Sequence, residues 1–129
     1  IQYQFVVPDK HFLLIPKILE KLRGIGAPSF ITVLKRFGEG NHGPLSFPIE
    51  GWTLAVDLPA KIPGLFELLD DFDDLILQAG GRIYLAKDSR QSSRMFKKSY
   101  SRFNEWEDNR KDLDPNKKFV SDLSKRLGM

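Results

Sequence analysis

A chain of 129 residues is one domain's worth and buries a modest core. It has no cysteine, so neither a disulfide framework nor a thiolate metal site, and no apolar run approaches the roughly 18 residues that span a bilayer. Its net charge of +3 and pI near 9.2 come from Lys and Arg interleaved with Asp and Glu, the pattern of a solvated surface more than of a nucleic-acid face.

The opening residues IQYQFVVP have strand character at once: Tyr3, Phe5 and Val7 alternate with Gln2, Gln4 and Val6. A start in mid-strand with no methionine is expected of a piece cut from a longer protein. After Pro8 the spacing predicts a helix to about Arg23, with Phe12, Ile15, Leu19 and Leu22 on one face. Pro16 marks either the start of the regular helix or a kink, and Gly24 and Gly26 end it.

SFITVLKRFG reads as a second strand, with Phe30, Thr32, Leu34 and Arg36 on one face and Ile31, Val33, Lys35 and Phe37 on the other. Glu39 to Gly51, rich in Gly, Pro and Asn, is predicted as loop. WTLAVDLP is the clearest strand: Trp52, Leu54, Val56 and Leu58 face one way, Thr53, Ala55 and Asp57 the other.

PGLFELLDDFDDLILQAGG is the clearest helix. Leu65, Leu68, Leu69, Phe72, Leu75, Ile76 and Ala79 form its stripe, and Glu67, Asp70, Asp71, Asp73 and Asp74 are expected to face water rather than a metal. Pro63 suits its first turn and Gly80 its stop. A short strand, Arg82 to Ala86, should end on Lys87, with Asp88 or Ser89 as the cap of the next helix. Helical pieces are predicted at Ser92 to Ser99, Asn104 to Lys111 and Val120 to Leu127.

The order strand–helix–strand–strand–helix–strand is the split β-α-β, or ferredoxin-like, pattern. The expected fold is α+β: a largely antiparallel sheet, both helices on one face, and a helical C-terminal tail. The open face would hold Gln2, Gln4, Thr53, Ala55, Ile31, Val33, Lys35 and Phe37. That mixture is too apolar to stay bare, so another domain, a ligand or nucleic acid should cover it. RNA-recognition modules read bases on this face, but their aromatic signature is absent: ITVLKRFG offers only Phe37. His11 and His42 lack the spacing of metal ligands.

QYQFVVP, FITVLKRFGEGNHGPLSFPIEGW, VDLP, GGRIYLAKDSR and LDPNKKFVSDLSKRL, in register from Gln2 to Leu127, resemble the C-terminal part of the decaprenylphosphoryl-β-D-ribose 2′-oxidase family. These are FAD-dependent oxidases of the vanillyl-alcohol-oxidase type. The resemblance implies that residues 1–129 are the substrate-side domain, with the FAD held mainly by an N-terminal domain absent from this sequence. It implies oxidation of the 2′-hydroxyl of a polyprenyl-phosphate-linked pentose to a ketone, for arabinan precursors of the cell wall. An NADH-dependent reductase is the implied partner, in the cytoplasm or at the inner membrane's surface.

The same resemblance assigns residues. Lys87 falls on the family lysine between flavin and substrate hydroxyl, and Tyr84 on a tyrosine near the flavin. Gln4, Lys35 and Phe37 match positions lining the sugar and phosphate pocket. Thr53 and Ala55 stand where mycobacterial members carry asparagine and cysteine, which leaves the sugar open. A stand-alone ligand- or partner-binding module of the same fold, or an RNA binder, remains the alternative reading. The exposed sheet face is also expected to drive self-association of the chain.

Overall fold

The computed structural model of the chain covers Ile1 to Met129. Four strands, β1 (Gln2–Pro8), β2 (Thr32–Phe37), β3 (Gly51–Asp57) and β4 (Arg82–Ile83), form one sheet in the order β2-β3-β1-β4, every pairing antiparallel. Helices α1 (Leu14–Gly24) and α2 (Leu65–Gln78) provide the two crossovers. This is the expected ferredoxin-like α+β arrangement. Three further helices, α3 (Ser93–Ser99), α4 (Phe103–Leu113) and α5 (Asp122–Leu127), make the C-terminal tail. No helix is long and apolar enough to cross a membrane.

The main core lies between the sheet and the two crossover helices. Tyr3, Phe5 and Val7 of β1 and Leu54 and Val56 of β3 pack there against Ile15, Ile18 and Leu22 of α1 and Leu65, Leu69, Phe72 and Ile76 of α2. Full burial of one such side chain is worth about 1.5–3 kcal/mol, so alternation along β1 and β3 decides which face points inward. α1 differs from its sequence reading in one residue: Ile18 is buried and Leu19 is exposed. At 100° per residue, Ile15, Ile18 and Leu22 subtend a 60° arc that Leu19 overshoots. Pro16 lies in the first helical turn, where its missing N–H costs nothing, so the regular helix starts beside it without a kink. The residues before it form a 3-10 turn, Asp9–His11.

α2 departs more consequentially. Asp73, expected in water, is 5% exposed, and its carboxylate accepts from the Tyr3 hydroxyl at 2.8 Å and from Arg90 at 2.8 Å. The apolar stripe of α2 is wide enough to take in position 73, and only two partners distant in sequence make a carboxylate tolerable there.

β4 is two residues long, not five. Beyond Ile83 the Tyr84 N–H still donates to the Gln4 carbonyl, but Leu85–Lys87 is a 3-10 turn whose Lys87 N–H donates to the Tyr84 carbonyl. Leu85 packs against a second cluster made by Phe96, Tyr100, Phe103 and Leu127, which draws the chain off the sheet. The Tyr100 hydroxyl donates to the Ile83 carbonyl at 2.7 Å and ties that cluster to β4. Gly81 precedes the strand because any Cβ there would strike the Val6 carbonyl. Ser92, not Asp88 or Ser89, caps α3 by accepting the Met95 N–H at 3.1 Å.

Candidate functional site on the open sheet face

Register places the candidate residues together. In one row across the helix-free face stand Lys35, Thr53, Val6 and Arg82; in the next stand Val33, Ala55 and Gln4. Tyr84 continues that second row through its bond to Gln4, and Phe37 lies opposite Gly51 at one end of β2. Gln4, Lys35, Phe37, Thr53, Ala55 and Tyr84 therefore share one surface. They come from four chain segments that only strand pairing unites. Lys87 lies three residues beyond Tyr84, at the end of the 3-10 turn rather than of a strand.

The face is not bare. The loop between β2 and β3 folds against it and inserts Phe47, which is 6% exposed. Phe47 stacks on Tyr84 with ring centroids 4.5 Å apart and meets Phe37 edge-on at 5.8 Å. Arg82 holds the same loop by donating to the Ser46 carbonyl at 2.8 Å. Val6 and Thr53, though on the open face, are consequently buried. Phe47 went unnoticed in the sequence because it sits in a Gly/Pro-rich loop with no periodicity; an aromatic between LS and P was its only signal.

Polar groups on the face are ordered. The Thr53 hydroxyl donates to the Phe5 carbonyl at 2.8 Å and accepts from Nε2 of Gln4 at 3.1 Å. That fixes the Gln4 amide with its oxygen, an acceptor, unengaged. Lys35 is exposed and Lys87 half-exposed, and neither ammonium makes a hydrogen bond or ion pair. The surface so formed has an aromatic cluster, one oriented amide and one free cation, Lys35, with the free Lys87 one turn beyond Tyr84. No three His, Asp or Glu side chains gather as a metal site.

On the helix-covered side of the sheet lies a buried charge network that the sequence did not signal. Arg90 pairs with Asp73 and with Asp70 of α2. Burial pushes the Asp73 carboxyl up to about 6, against the opposing pull of Arg90 and the Tyr3 hydroxyl. Burial also raises the Tyr3 hydroxyl well above its ordinary value, with the neighbouring Asp73 adding to it.

Residues 59–127 match the D-arabinono-1,4-lactone oxidase family. The chain is 44% identical over 127 residues to a protein of Mycolicibacterium smegmatis named decaprenylphosphoryl-beta-D-ribose oxidase; the match covers 98% of this chain and 27% of that protein. It is also 44% identical over 97 residues to a Streptomyces coelicolor protein named "Uncharacterized protein in mprA 5′region", covering 75% of this chain and 26% of that one. The chain thus spans about a quarter of the length of these relatives.

Proposed function

The chain belongs to the D-arabinono-1,4-lactone oxidase family, and from that premise we propose that it forms the substrate-side domain of an FAD-dependent oxidoreductase. Its reaction would oxidise the 2′-hydroxyl of a polyprenyl-phosphate-linked pentose to a ketone, a step toward cell-wall arabinan precursors. The observation that carries this reading is the single surface formed by Gln4, Lys35, Phe37, Thr53, Ala55 and Tyr84, with Lys87 beside it. The 44% identity to the mycobacterial oxidase supports the substrate class. An NADH-dependent reductase would consume the ketone, in the cytoplasm or at the inner membrane's surface.

The residues suit a flat ring system. Tyr84 and Phe37, half-buried on either side of Phe47, offer the apolar edges that the loop leaves accessible to a second domain. No glycine-rich loop opens a helix here to cradle a pyrophosphate, so the dinucleotide part of FAD falls to another domain. Bound there, the flavin would supply the hydride acceptor.

The chain's own side chains divide the remaining work. The unpaired Lys87 ammonium donates toward the reacting hydroxyl and stabilises negative charge that builds beside it. The Gln4 amide oxygen accepts from a neighbouring sugar hydroxyl, and Thr53 acts through Gln4 because its own hydroxyl is spent within the sheet. Lys35 meets phosphate oxygens as a compact charge. Ala55 leaves room where a larger side chain would crowd the sugar.

The test is to mix the complete protein carrying this chain with a polyprenyl-phosphoryl pentose without oxygen. Bleaching of the bound flavin and a ketone product trapped by a hydrazine are expected. A flavin that stays oxidised with that substrate, yet bleaches with a free aldonolactone, would replace the substrate class.

A further inference from the structure

The turn that carries Lys87 is held from a side that plays no part in the substrate face. Asp88 comes directly after it, and its side chain is 2% exposed. One carboxylate oxygen accepts the backbone N–H groups of Arg90 and Gln91, at 2.9 and 2.8 Å. The other accepts from Nη2 of Arg126 at 2.7 Å, while Nη1 of the same guanidinium donates to the Gln91 carbonyl at 2.6 Å. One planar fork thus grips a side chain and the main chain of a single short segment, which an ammonium cannot do.

Arg126 comes from α5, far along the chain, and α5 is itself fixed. Leu127 is buried in the second cluster, and the Ser93 hydroxyl donates to the Leu127 carbonyl at 2.6 Å. Upstream, Tyr84 is bonded to β1 and stacked on Phe47. Downstream, Arg90 is tied to α2. Tyr84, Asp88 and Arg90 around Lys87 are thus fastened, whereas its own ammonium has no partner to hold it.

We propose that Arg126, acting through Asp88, is a positioning residue for Lys87. This rests on the reading of Lys87 as the charge beside the reacting centre. Two effects combine. The grip fixes the direction in which the lysine leaves its turn, and a displacement of about 1 Å at a reacting centre costs on the order of 100-fold in rate. It also engages the carboxylate nearest to Lys87 in sequence. Once Arg126 is gone, the carboxylate oxygen it held is free to recruit the ammonium and withdraw it from the substrate.

A double-mutant cycle in the complete flavoprotein tests this, comparing the parent, Lys87→Ala, Arg126→Leu and the double variant. Arg126→Leu should slow flavin reduction at saturating substrate about 10-fold, but add less than about twofold in the Lys87→Ala background, because it acts through the side chain already lost. Arg126→Lys, which keeps the charge but not the fork, should lose about threefold and serves in the same cycle should the leucine variant fail to fold. Amide exchange at Arg90 and Gln91 should quicken in Arg126→Leu while Phe5 and Leu54 stay protected. The same loss in both backgrounds makes Arg126 merely structural and overturns the proposal, as does an Arg126→Leu enzyme at the parent rate beside a slow Lys87→Ala; either leaves the reading of Lys87 intact. A Lys87→Ala enzyme at the parent rate removes that reading and the proposal with it.

Discussion

Removing the Lys87 ammonium should separate folding from chemistry. The side chain is half-exposed and unpaired, so Lys87→Ala should cost about 1 kcal/mol or less in stability. In the complete protein, loss of a preorganised charge should slow flavin reduction about 100-fold or more, near 3 kcal/mol of barrier. Lys87→Arg should not restore it, since a planar fork does not replace a compact ammonium. Stopped-flow reduction of the bound flavin reads all three, and a parent rate in Lys87→Ala would return the residue to an ordinary turn position. Asp73 makes a different prediction. Its folded value of about 6 lies above the ordinary 3.8, so the folded chain holds that proton more tightly. The stability this contributes is fully present below about pH 4 and lost as pH rises through about 6. Relative to Asp73→Asn, the parent should therefore lose about 2–3 kcal/mol between about pH 4 and pH 7 in urea titrations. Arg90, Tyr3, Asp70 and Asp88 face this carboxyl, and a flat difference would mean that Arg90 keeps it ionised throughout.

The loop between β2 and β3 behaves as a part of the sheet. Phe47 joins Phe37 on β2 to Tyr84 after β4, and Arg82 fastens the loop backbone. Phe47→Ala should cost about 3 kcal/mol, at the lower end for a buried phenylalanine because the loop can partly collapse into the gap. It should also open residues 38–50 to limited proteolysis before the rest of the chain unfolds. A variant that resists protease as the parent does would show that Arg82 and Arg102 seat the loop through its Ser46 and His42 carbonyls without the ring. The tail helices act as an element too: their cluster of Phe96, Tyr100, Phe103 and Leu127 shortens β4 by drawing Leu85 away. Elements that looked like an appendix in the sequence thus set the geometry of the Lys87 turn.

For the whole molecule, a chain that spans about a quarter of its relatives has two expected behaviours. Purified alone it should be colourless, as the proposed division with a separate dinucleotide-holding domain requires; an absorption spectrum with about one flavin per chain would show that this domain binds the cofactor by itself. It should also self-associate at high concentration. The sheet face contributes less to this than its composition suggests, since Phe47 covers part of it. Ile31 at 59% and Phe30 at 84% exposure, beside the edge strand β2, are the stronger drivers. Light scattering should report dimers or larger species that Ile31→Lys with Phe30→Ser disperses. A clean monomer in the parent would mean that these side chains are too scattered to make a patch.

Periodicity alone determined the split β-α-β order, the inward faces of β1 and β3, and the stripe of α2, because alternation and helical spacing are local and burial rewards them directly. The likeness of short strings across the chain supplied the candidate residues, but not their arrangement. Parity already put Gln4, Lys35 and Thr53 on one face; only the tertiary structure decided that Lys35 stands level with Thr53 and Tyr84 beside Gln4, since register is a relation between strands. It alone buried Asp73, which is legible as a water-facing acid until Tyr3 and Arg90 arrive from elsewhere. It also ended β4 at Ile83 and set Arg126 against Asp88. Each depends on partners distant in sequence, and no pattern along the chain encodes which of many polar residues will meet.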